Sequence, residues 1–363
     1  MKVSFIHTGD LHIGRQFHFA RRGDVYGGNR RMDLWENFER ILNTAEKNHI
    51  DLLLIAGDLF DAAEADLREI ERVAERLGRL TRTHVVICAG NHDHYSSLST
   101  YGLTEWPDNV TLFKTGRLES VYFPDLNTEI YSLSWTKRTY ATMPFPPAFE
   151  VNPEHTNILM LHGDACNMHS EYMPIPVERL TQFDYTALGH LHNHFYINEH
   201  TVYCGTPEPL GFDEPGDHGV VVGQLEGHHC QSQFVPIQKR RFVTQACDIT
   251  PVMDEKQVVQ TLMDSVPEAD RQVNYFRFVL RGCRRAEFSM ENLRDALYPY
   301  FYYLEIDDSA LEIDMDVALL LKENRENLIG KFIQEMHLED DDEITDRAIA
   351  YGLEGILKEK VVL

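Results

Sequence analysis

The chain has 363 residues, 43% hydrophobic and 25% charged, enough for one large domain and a smaller one, which excludes a disordered or fibrous protein. No apolar run approaches the roughly 18 residues of a membrane span, so no membrane association is expected. The formal net charge of −24 weighs against nucleic-acid binding, which usually draws on a basic surface, without excluding it.

The chain runs directly into a strand at residues 3–7, without the regions of a signal peptide, and a cytoplasmic location is expected. This strand ends in Asp10-Leu11-His12. A helix follows with Leu34, Phe38, Ile41, Leu42 and Ala45 on one face. The apolar run 52–56 precedes Gly57-Asp58-Leu59-Phe60-Asp61. Residues 64–80 read as a second helix, and 84–88 as the strand before Gly90-Asn91-His92-Asp93. Residues 158–161 lead into His162-Gly163, and Gly189-His190-Leu191-His192 closes the series. Short continuous apolar runs are those of strands buried on both faces. The pattern is α/β, with polar motifs at strand carboxyl ends, where open α/β sheets place their sites.

After Gly189 the texture turns β-rich, with strands at 202–204 and from Gly219 to near Pro236. Lys239-Arg240-Arg241 marks a junction. Residues 242–306 then read strand (242–249), helix (from Asp254), strand (273–281), helix (from Ser289), strand (301–306), a small separate α/β domain. Beyond it, Leu328, Ile329, Phe332, Ile333 and Met336 form an apolar stripe at helical spacing. An acidic run at 339–343 follows, and then a helix with Ile349, Leu353, Ile356 and Leu357 on one face and Lys358 and Lys360 at its end. Residues 301–363 hold 17 acids against 6 bases, a net of −11, so much of the negative charge is local. Six scattered cysteines (88, 166, 204, 230, 247 and 283) include no Cys-x-x-Cys pair and imply neither a zinc ribbon nor a disulfide framework.

The five motifs hold metal-binding chemistry. Carboxylate and amide oxygens suit Mn²⁺ or Mg²⁺, and imidazole adds affinity for later transition metals. Asp10 and His12, like His190 and His192, are two residues apart and can point to one side of an extended segment. With Asp58, Asn91 and His162 they make seven candidate ligands, and Asp58 can bridge two ions through its two oxygens. Two divalent ions, Mn²⁺ first and Mg²⁺ or another transition metal second, could activate water and clamp both oxygens of an in-line phosphoryl displacement. His92 is assigned to the scissile phosphate and leaving oxygen, with Asp93 orienting it. His7, His84, His94 and His194 stand near the motifs and receive no role.

Together Asp10-x-His12, Gly57-Asp58-x-x-Asp61, Gly90-Asn91-His92-Asp93, His162-Gly163 and Gly189-His190-x-His192 resemble the signature of calcineurin-like metallophosphoesterases. That resemblance implies a four-layer αββα sandwich. It places Asp10, His12, Asp58 and His192 on one ion and Asp58, Asn91, His162 and His190 on the other, with His92 catalytic. Within the superfamily the chain looks most like SbcD-type DNA repair nucleases and their YhaO-like bacterial relatives. The segment Tyr203-Cys204-Gly205-Thr206-Pro207-Glu208-Pro209-Leu210, the small α/β domain and the terminal helix pair carry this narrower likeness. Some nucleases of that group have histidine where Asp61 stands.

The resemblance implies a nuclease domain (1–238), a DNA-contacting capping domain (239–312) and a helical partner-binding segment (313–363). The implied activity is two-metal hydrolysis of DNA phosphodiesters in repair or end processing, as a 3′-to-5′ exonuclease with single-strand endonuclease activity. The implied partner is an SMC-like coiled-coil ATPase of SbcC type, held by the C-terminal helices; a homodimer is also implied. Arg15, Arg21, Arg22, Arg30 and Arg31, close to Phe17, Phe19 and Tyr26, are candidate DNA contacts, since arginine pairs bidentately with phosphate and aromatics stack on bases. Lys239-Arg240-Arg241 with Arg281, Arg284 and Arg285 are candidates to extend the phosphate track. The alternative is an enzyme of the same fold acting on nucleotides, cyclic nucleotides or phosphoproteins.

Overall fold

The structure, a computed structural model, describes residues 2–19, 23–146, 149–285, 288–314, 317–337 and 343–358. The chain divides into two compact units, Met1–Arg241 and Phe242–Leu363.

The first unit runs β1 (Lys2–Thr8), α1 (Gly23–Lys47), β2 (Leu52–Ala56), α2 (Leu67–Gly78), β3 (His84–Cys88), α3 (Thr100–Leu103) and β4 (Val110–Leu112). It continues through β5 (Glu119–Phe123), β6 (Thr128–Ser132), β7 (Thr156–His162), β8 (Tyr185–Gly189), β9 (Phe195–Asn198), β10 (Thr201–Tyr203), β11 (Gly219–Glu226) and β12 (His229–Pro236). One sheet has the order β12-β11-β1-β2-β3-β4 and the other β5-β6-β7-β8-β10-β9. The strands that carry motifs are parallel within each sheet: β1, β2 and β3 in the first, β7 and β8 in the second. The expected helix at 64–80 is α2, started by an Asp66 capping box with Glu69 and burying Ile70, Val73, Ala74 and Leu77.

The layers follow from side-chain alternation. Ile6, Leu53, Ile55, Val85 and Ile87 pack with Phe38, Ile41, Leu42 and Ala45 of α1 and with α2. The opposite set, Phe5, Leu52, Leu54 and Val86, meets Ile130, Ile158, Met160, Tyr185 and Ala187 of the second sheet. Every residue of β2 and of β7 is buried, as their continuous apolar sequences required. The outer face of the second sheet is covered by Trp135, Tyr140, Phe145, Met173, Ile175, Leu180 and Phe183, from its long connecting segments. The result is an α/β sandwich of two sheets.

The second unit has a parallel sheet β13 (Phe242–Ile249), β14 (Tyr275–Arg285) and β15 (Tyr303–Asp314), with α4 (Glu255–Asp264), α5 (Glu268–Arg271) and α6 (Met290–Leu297) in the connections. Asp254 and Ser289, the expected helix starts, are the N-caps of α4 and α6. Three helices follow, α7 (Val317–Glu323), α8 (Leu328–His337) and α9 (Glu343–Lys358), where the apolar periodicity predicts only the last two. Ile333 of α8 is buried with Ile349 and Leu353 of α9, against Val317, Leu320 and Leu321 of α7. These apolar stripes thus cover one another within the chain. Lys360 and residues 339–342 of the acidic run lie outside the described residues. Among the described residues no helix is long and apolar enough to cross a membrane.

Candidate metal centre

All five motifs stand at the carboxyl ends of parallel strands, where the two sheets face each other. There the backbone leaves extended geometry: φ is 50° at Asp10, 47° at His12, 47° at Asp58 and 103° at His190. Such left-handed angles cost a non-glycine residue about 1–3 kcal/mol and persist where surrounding contacts dictate them. Here the contacts join motif to motif. The Asp10 and His12 N–H groups donate to the carbonyls of Gly57 and Asp58, each at 3.0 Å. The His190 N–H donates to Asp10 Oδ2 at 2.9 Å and the His92 N–H to Asp58 Oδ1 at 2.9 Å. Two glycines make the approach possible. A Cβ at Gly57 would lie 2.3 Å from His162 Nδ1, and one at Gly90 2.2 Å from Asp58 Oδ1.

Asp58 is central. Its Oδ1 is held by His92, so Oδ2 is the oxygen facing both sides, 3.3 Å from His162 Nε2 and 3.9 Å from His12 Nε2. The Asp58 carboxylate thus offers Oδ2 to both imidazoles while Oδ1 accepts one amide, and each oxygen keeps a lone pair for a cation. His162 donates from Nδ1 to the Ala56 carbonyl at 3.0 Å, leaving Nε2 directed at Asn91 Oδ1 (2.9 Å) as well as at Asp58. On the other side His12 Nε2 and His192 Nε2 are 3.3 Å apart, with Asp10 in the same cluster. The His190 ring packs at 5.2 Å from that of His162 and 5.0 Å from Tyr172.

This donor set fits metal ions. Among the described residues three groups could hold a cation: Asp10-His12-His192 and Asp10-Asp58-His162, which share Asp10, and His12-Asp61-His92 at the mouth. Their atoms are lone pairs facing lone pairs, an arrangement that needs a cation, or failing that a proton, between them. His162 shows the second solution: burial lowers it, but the Asp58 charge and hydrogen bond prevail and it rises to about 9. Burial pushes His12 and His190 down to about 3, holding both as neutral imidazoles, the form that ligates metal.

Two residues outside the expected set support the centre. Glu214 Oε1 accepts from His192 Nδ1 at 2.6 Å, and Glu214 Oε2 accepts from the Leu210 N–H at 2.7 Å. The carboxylate thereby fixes the His192 ring with Nε2 toward Asp10 and His12, a common arrangement behind metal-bound histidine. Replacing Glu214 with alanine is expected to weaken Mn²⁺ binding about 10- to 100-fold by titration calorimetry. Unchanged affinity would remove Glu214 from this role. No motif marks Glu214, 22 residues beyond His192, and the sequence carries no signal for it.

The second residue is Asp61. It lies 3.6 Å from His92 Nδ1, 3.9 Å from His12 Nδ1 and 3.8 Å from Arg15. The Asp61 carboxylate raises His92 above the ordinary imidazole value. Asp93, expected to orient His92, does something else. It is buried and accepts from the Gly90 N–H (2.6 Å), the Phe60 N–H (3.1 Å) and the Tyr101 hydroxyl (2.7 Å), clasping the loop. Adjacent residues in a turn point apart, so Asp61 from the neighbouring loop takes the place beside His92. His92 itself is 42% exposed, with its ring edge-on to His12 at 4.9 Å.

The candidate DNA contacts fare unevenly. Arg15 is partly exposed beside Asp61. Arg21 and Arg22 lie outside the described residues. Arg30 is fully buried in α1, donating to Asp33 (3.0 Å), Glu208 (2.6 Å) and the Pro209 carbonyl, so it cannot meet a substrate. Arg31 pairs with Glu69 at 2.6 Å. Lys239 and Arg240 pair with Asp33, and Arg241 with Asp217. Arg284 is buried against the Phe288 carbonyl. Arg284 is thus lost to the expected phosphate track and Lys239, Arg240 and Arg241 are paired with the protein's own acids, whereas Arg281 and Arg285 are exposed.

Residues 3–196 match the family described as calcineurin-like phosphoesterase, more than half of the chain, and the protein belongs to that family of metallophosphoesterases. Among individual proteins, it is 26% identical over 296 residues to the uncharacterized metallophosphoesterase YhaO of Bacillus subtilis, covering 77% of this chain and 72% of that one. It is 27% identical over 232 residues to the DNA double-strand break repair protein Mre11 of Aeropyrum pernix, covering 58% and 54% of the two chains. The SbcD component of the nuclease SbcCD of Escherichia coli is 24% identical over 266 residues, covering 59% and 62%. The match thus spans less than two thirds of the two proteins named for repair or nuclease activity.

Proposed function

We propose that the protein is a two-metal phosphodiesterase that hydrolyses DNA. The observation that carries the chemistry is Asp58 Oδ2 between the imidazoles of His12 and His162. Asp10, His12, Asp58 and His192 would hold one ion, and Asp58, Asn91, His162 and His190 the other. Ions held there would supply Lewis acidity for activating water and neutralising charge on the phosphoryl oxygens. The protein's own part is positional. His92, exposed at the mouth and held by Asp61, meets the scissile phosphate and protonates the leaving oxygen. The loop clasped by Asp93 carries both Asn91, beside His162, and His92, beside Asp61.

DNA as substrate and a role in repair draw their support from the likeness to a protein named for DNA double-strand break repair and to the SbcD subunit of a nuclease, while 3′-to-5′ polarity is carried by the motif resemblance alone. The motif resemblance carries the further proposal of an SMC-like ATPase partner for residues 313–363, with residues 239–312 as a capping, DNA-contacting unit. The internal pairing of Arg30, Arg31 and Lys239 favours a second reading, hydrolysis of nucleotides or other small phosphoesters. Purified protein in Mn²⁺, given end-labelled single-stranded and duplex DNA and a generic phosphodiester, separates the two. DNA cleavage is expected, with His92→Ala lowering it about 10²- to 10⁴-fold. Hydrolysis of the generic ester alone, even with an ATPase partner added, would falsify the nuclease reading. Full activity of the His92→Ala protein would remove its assigned role.

A further inference from the structure

The chain holds 58 acids against 34 lysines and arginines, yet residues 109–118 and 130–149 contain no acid at all. Those two stretches include Lys114, Arg117, Lys137 and Arg138, all exposed. The fold sets them side by side. The Ser134 N–H donates to the Thr115 carbonyl at 2.9 Å, and Ser134 Oγ donates to the Phe113 carbonyl at 2.6 Å. Gly116 packs so closely against the Tyr140 hydroxyl that a Cβ there would lie 2.4 Å from it. Lys137 Nζ stands over the Tyr140 ring at 4.6 Å, which props the lysine outward. None of the four cations has a carboxylate partner among the described residues, in contrast to Arg30, Arg31, Lys239, Arg240 and Arg241.

The patch adjoins the metal centre. Trp135, two residues before Lys137, donates its N–H to the Ala89 carbonyl (3.0 Å) and its Nε1–H to the His162 carbonyl (2.7 Å). Its own carbonyl accepts from the Tyr95 N–H at 2.6 Å. The indole thus sits between the loop of Asn91 and His92 and the strand end of His162. Two residues of extended chain span at most about 7 Å, so Lys137 lies within that reach of the Trp135 backbone that bonds the Ala89 carbonyl.

We propose that Lys114, Arg117, Lys137 and Arg138 form a phosphate-backbone track for a DNA strand whose scissile bond lies at the metal centre. The proposal rests on the nuclease reading for its choice of polyanion. Four cations without a carboxylate partner, on two adjoining segments that carry no acid of their own and are bordered by the exposed Glu119 and Glu171, concentrate attraction for a polyanion there. A small phosphoester would be filled by the metal centre alone; only a polymer reaches the strip.

The test compares wild type with Lys114→Gln/Arg117→Gln/Lys137→Gln/Arg138→Gln in binding a nuclease-resistant phosphorothioate single strand in Mn²⁺ over a range of salt. Each phosphate contact on a single strand contributes about 0.7 to the slope of log K against log salt, so the slope is expected to fall by about 3. A control lacking Lys2, Lys47 and Arg82, exposed cations at the amino ends of the strands, is expected to change the slope by less than about 1. The two double variants, Lys114/Arg117 and Lys137/Arg138, are each expected to give about half the effect, and guard against misfolding of the quadruple protein. An unchanged slope, a control that matches the quadruple variant, or no binding by wild type overturns the track. Cleavage of unmodified DNA is scored separately. Wild type that binds through the strip but cuts no DNA overturns the nuclease reading and leaves the track. Wild type that cuts DNA with the variants' slope unchanged overturns the track alone.

Discussion

Asp58→Asn is expected to lower Mn²⁺-dependent hydrolysis at least about 10³-fold and to reduce the bound Mn²⁺ from two ions to one or none. The asparagine carbonyl can still accept the His92 N–H now held by Oδ1 at 2.9 Å, so the loop should keep its shape. What changes is the other atom. An amide NH₂ replaces the oxygen that faces His162 Nε2 at 3.3 Å and His12 Nε2 at 3.9 Å. A cation position that had a shared negative charge would meet a donor. Lewis-acid stabilisation is worth several kcal/mol, and about 1.4 kcal/mol is tenfold in rate, which sets the size of the loss. Titration calorimetry and a generic phosphodiester assay read the two effects independently of DNA. Two ions bound with wild-type turnover would exclude Asp58 as the bridge.

Arg30→Ala is expected to cost about 3 kcal/mol of stability, because it leaves the buried Glu208 carboxylate with neutral donors only, while Asp33 keeps Lys239 and Arg240. Arg30, Asp33 and Glu208 are almost wholly buried, and Glu208 also accepts from Asn37 (2.6 Å) and the Lys239 N–H (2.6 Å). For a unit of this size the melting temperature should fall by roughly 10 °C. Thermal unfolding checks it. An unshifted melting curve combined with weaker DNA binding would return Arg30 to the substrate surface.

Arg30 also shows how much the sequence disclosed. It precedes Leu34 by four residues and Phe38 by eight, so helical periodicity alone puts it on the buried face. Its proximity to Arg15, Arg21, Arg22 and Arg31 makes charge a more visible signal than phase. The candidate ligands were legible because each motif follows a buried strand directly, and strand ends on parallel sheets converge. Asp93 and Asp61 were harder to separate. Both lie in motifs, and only the turn after β3 decides that Asp93 points into its own loop while Asp61 reaches His92. Glu214 and the cationic strip depend on contacts between segments far apart in sequence. The small α/β unit was readable because Asp254 and Ser289 announce their helices as caps.

The loop that follows β10 sends one carboxylate, Glu214, to His192 and another, Glu208, to the backbone N–H groups of Lys239 (2.6 Å) and Arg240 (3.3 Å). A recombinant fragment cut at residue 238 would therefore lack both amides, and with them the Arg240 guanidinium that pairs with Asp33. Glu208 would have lost half its hydrogen-bond donors in a loop that also steadies the candidate metal ligand His192. For anyone preparing the phosphoesterase unit by itself, the stop codon belongs after Arg241, and three residues decide whether the shortened enzyme is a fair stand-in for the whole.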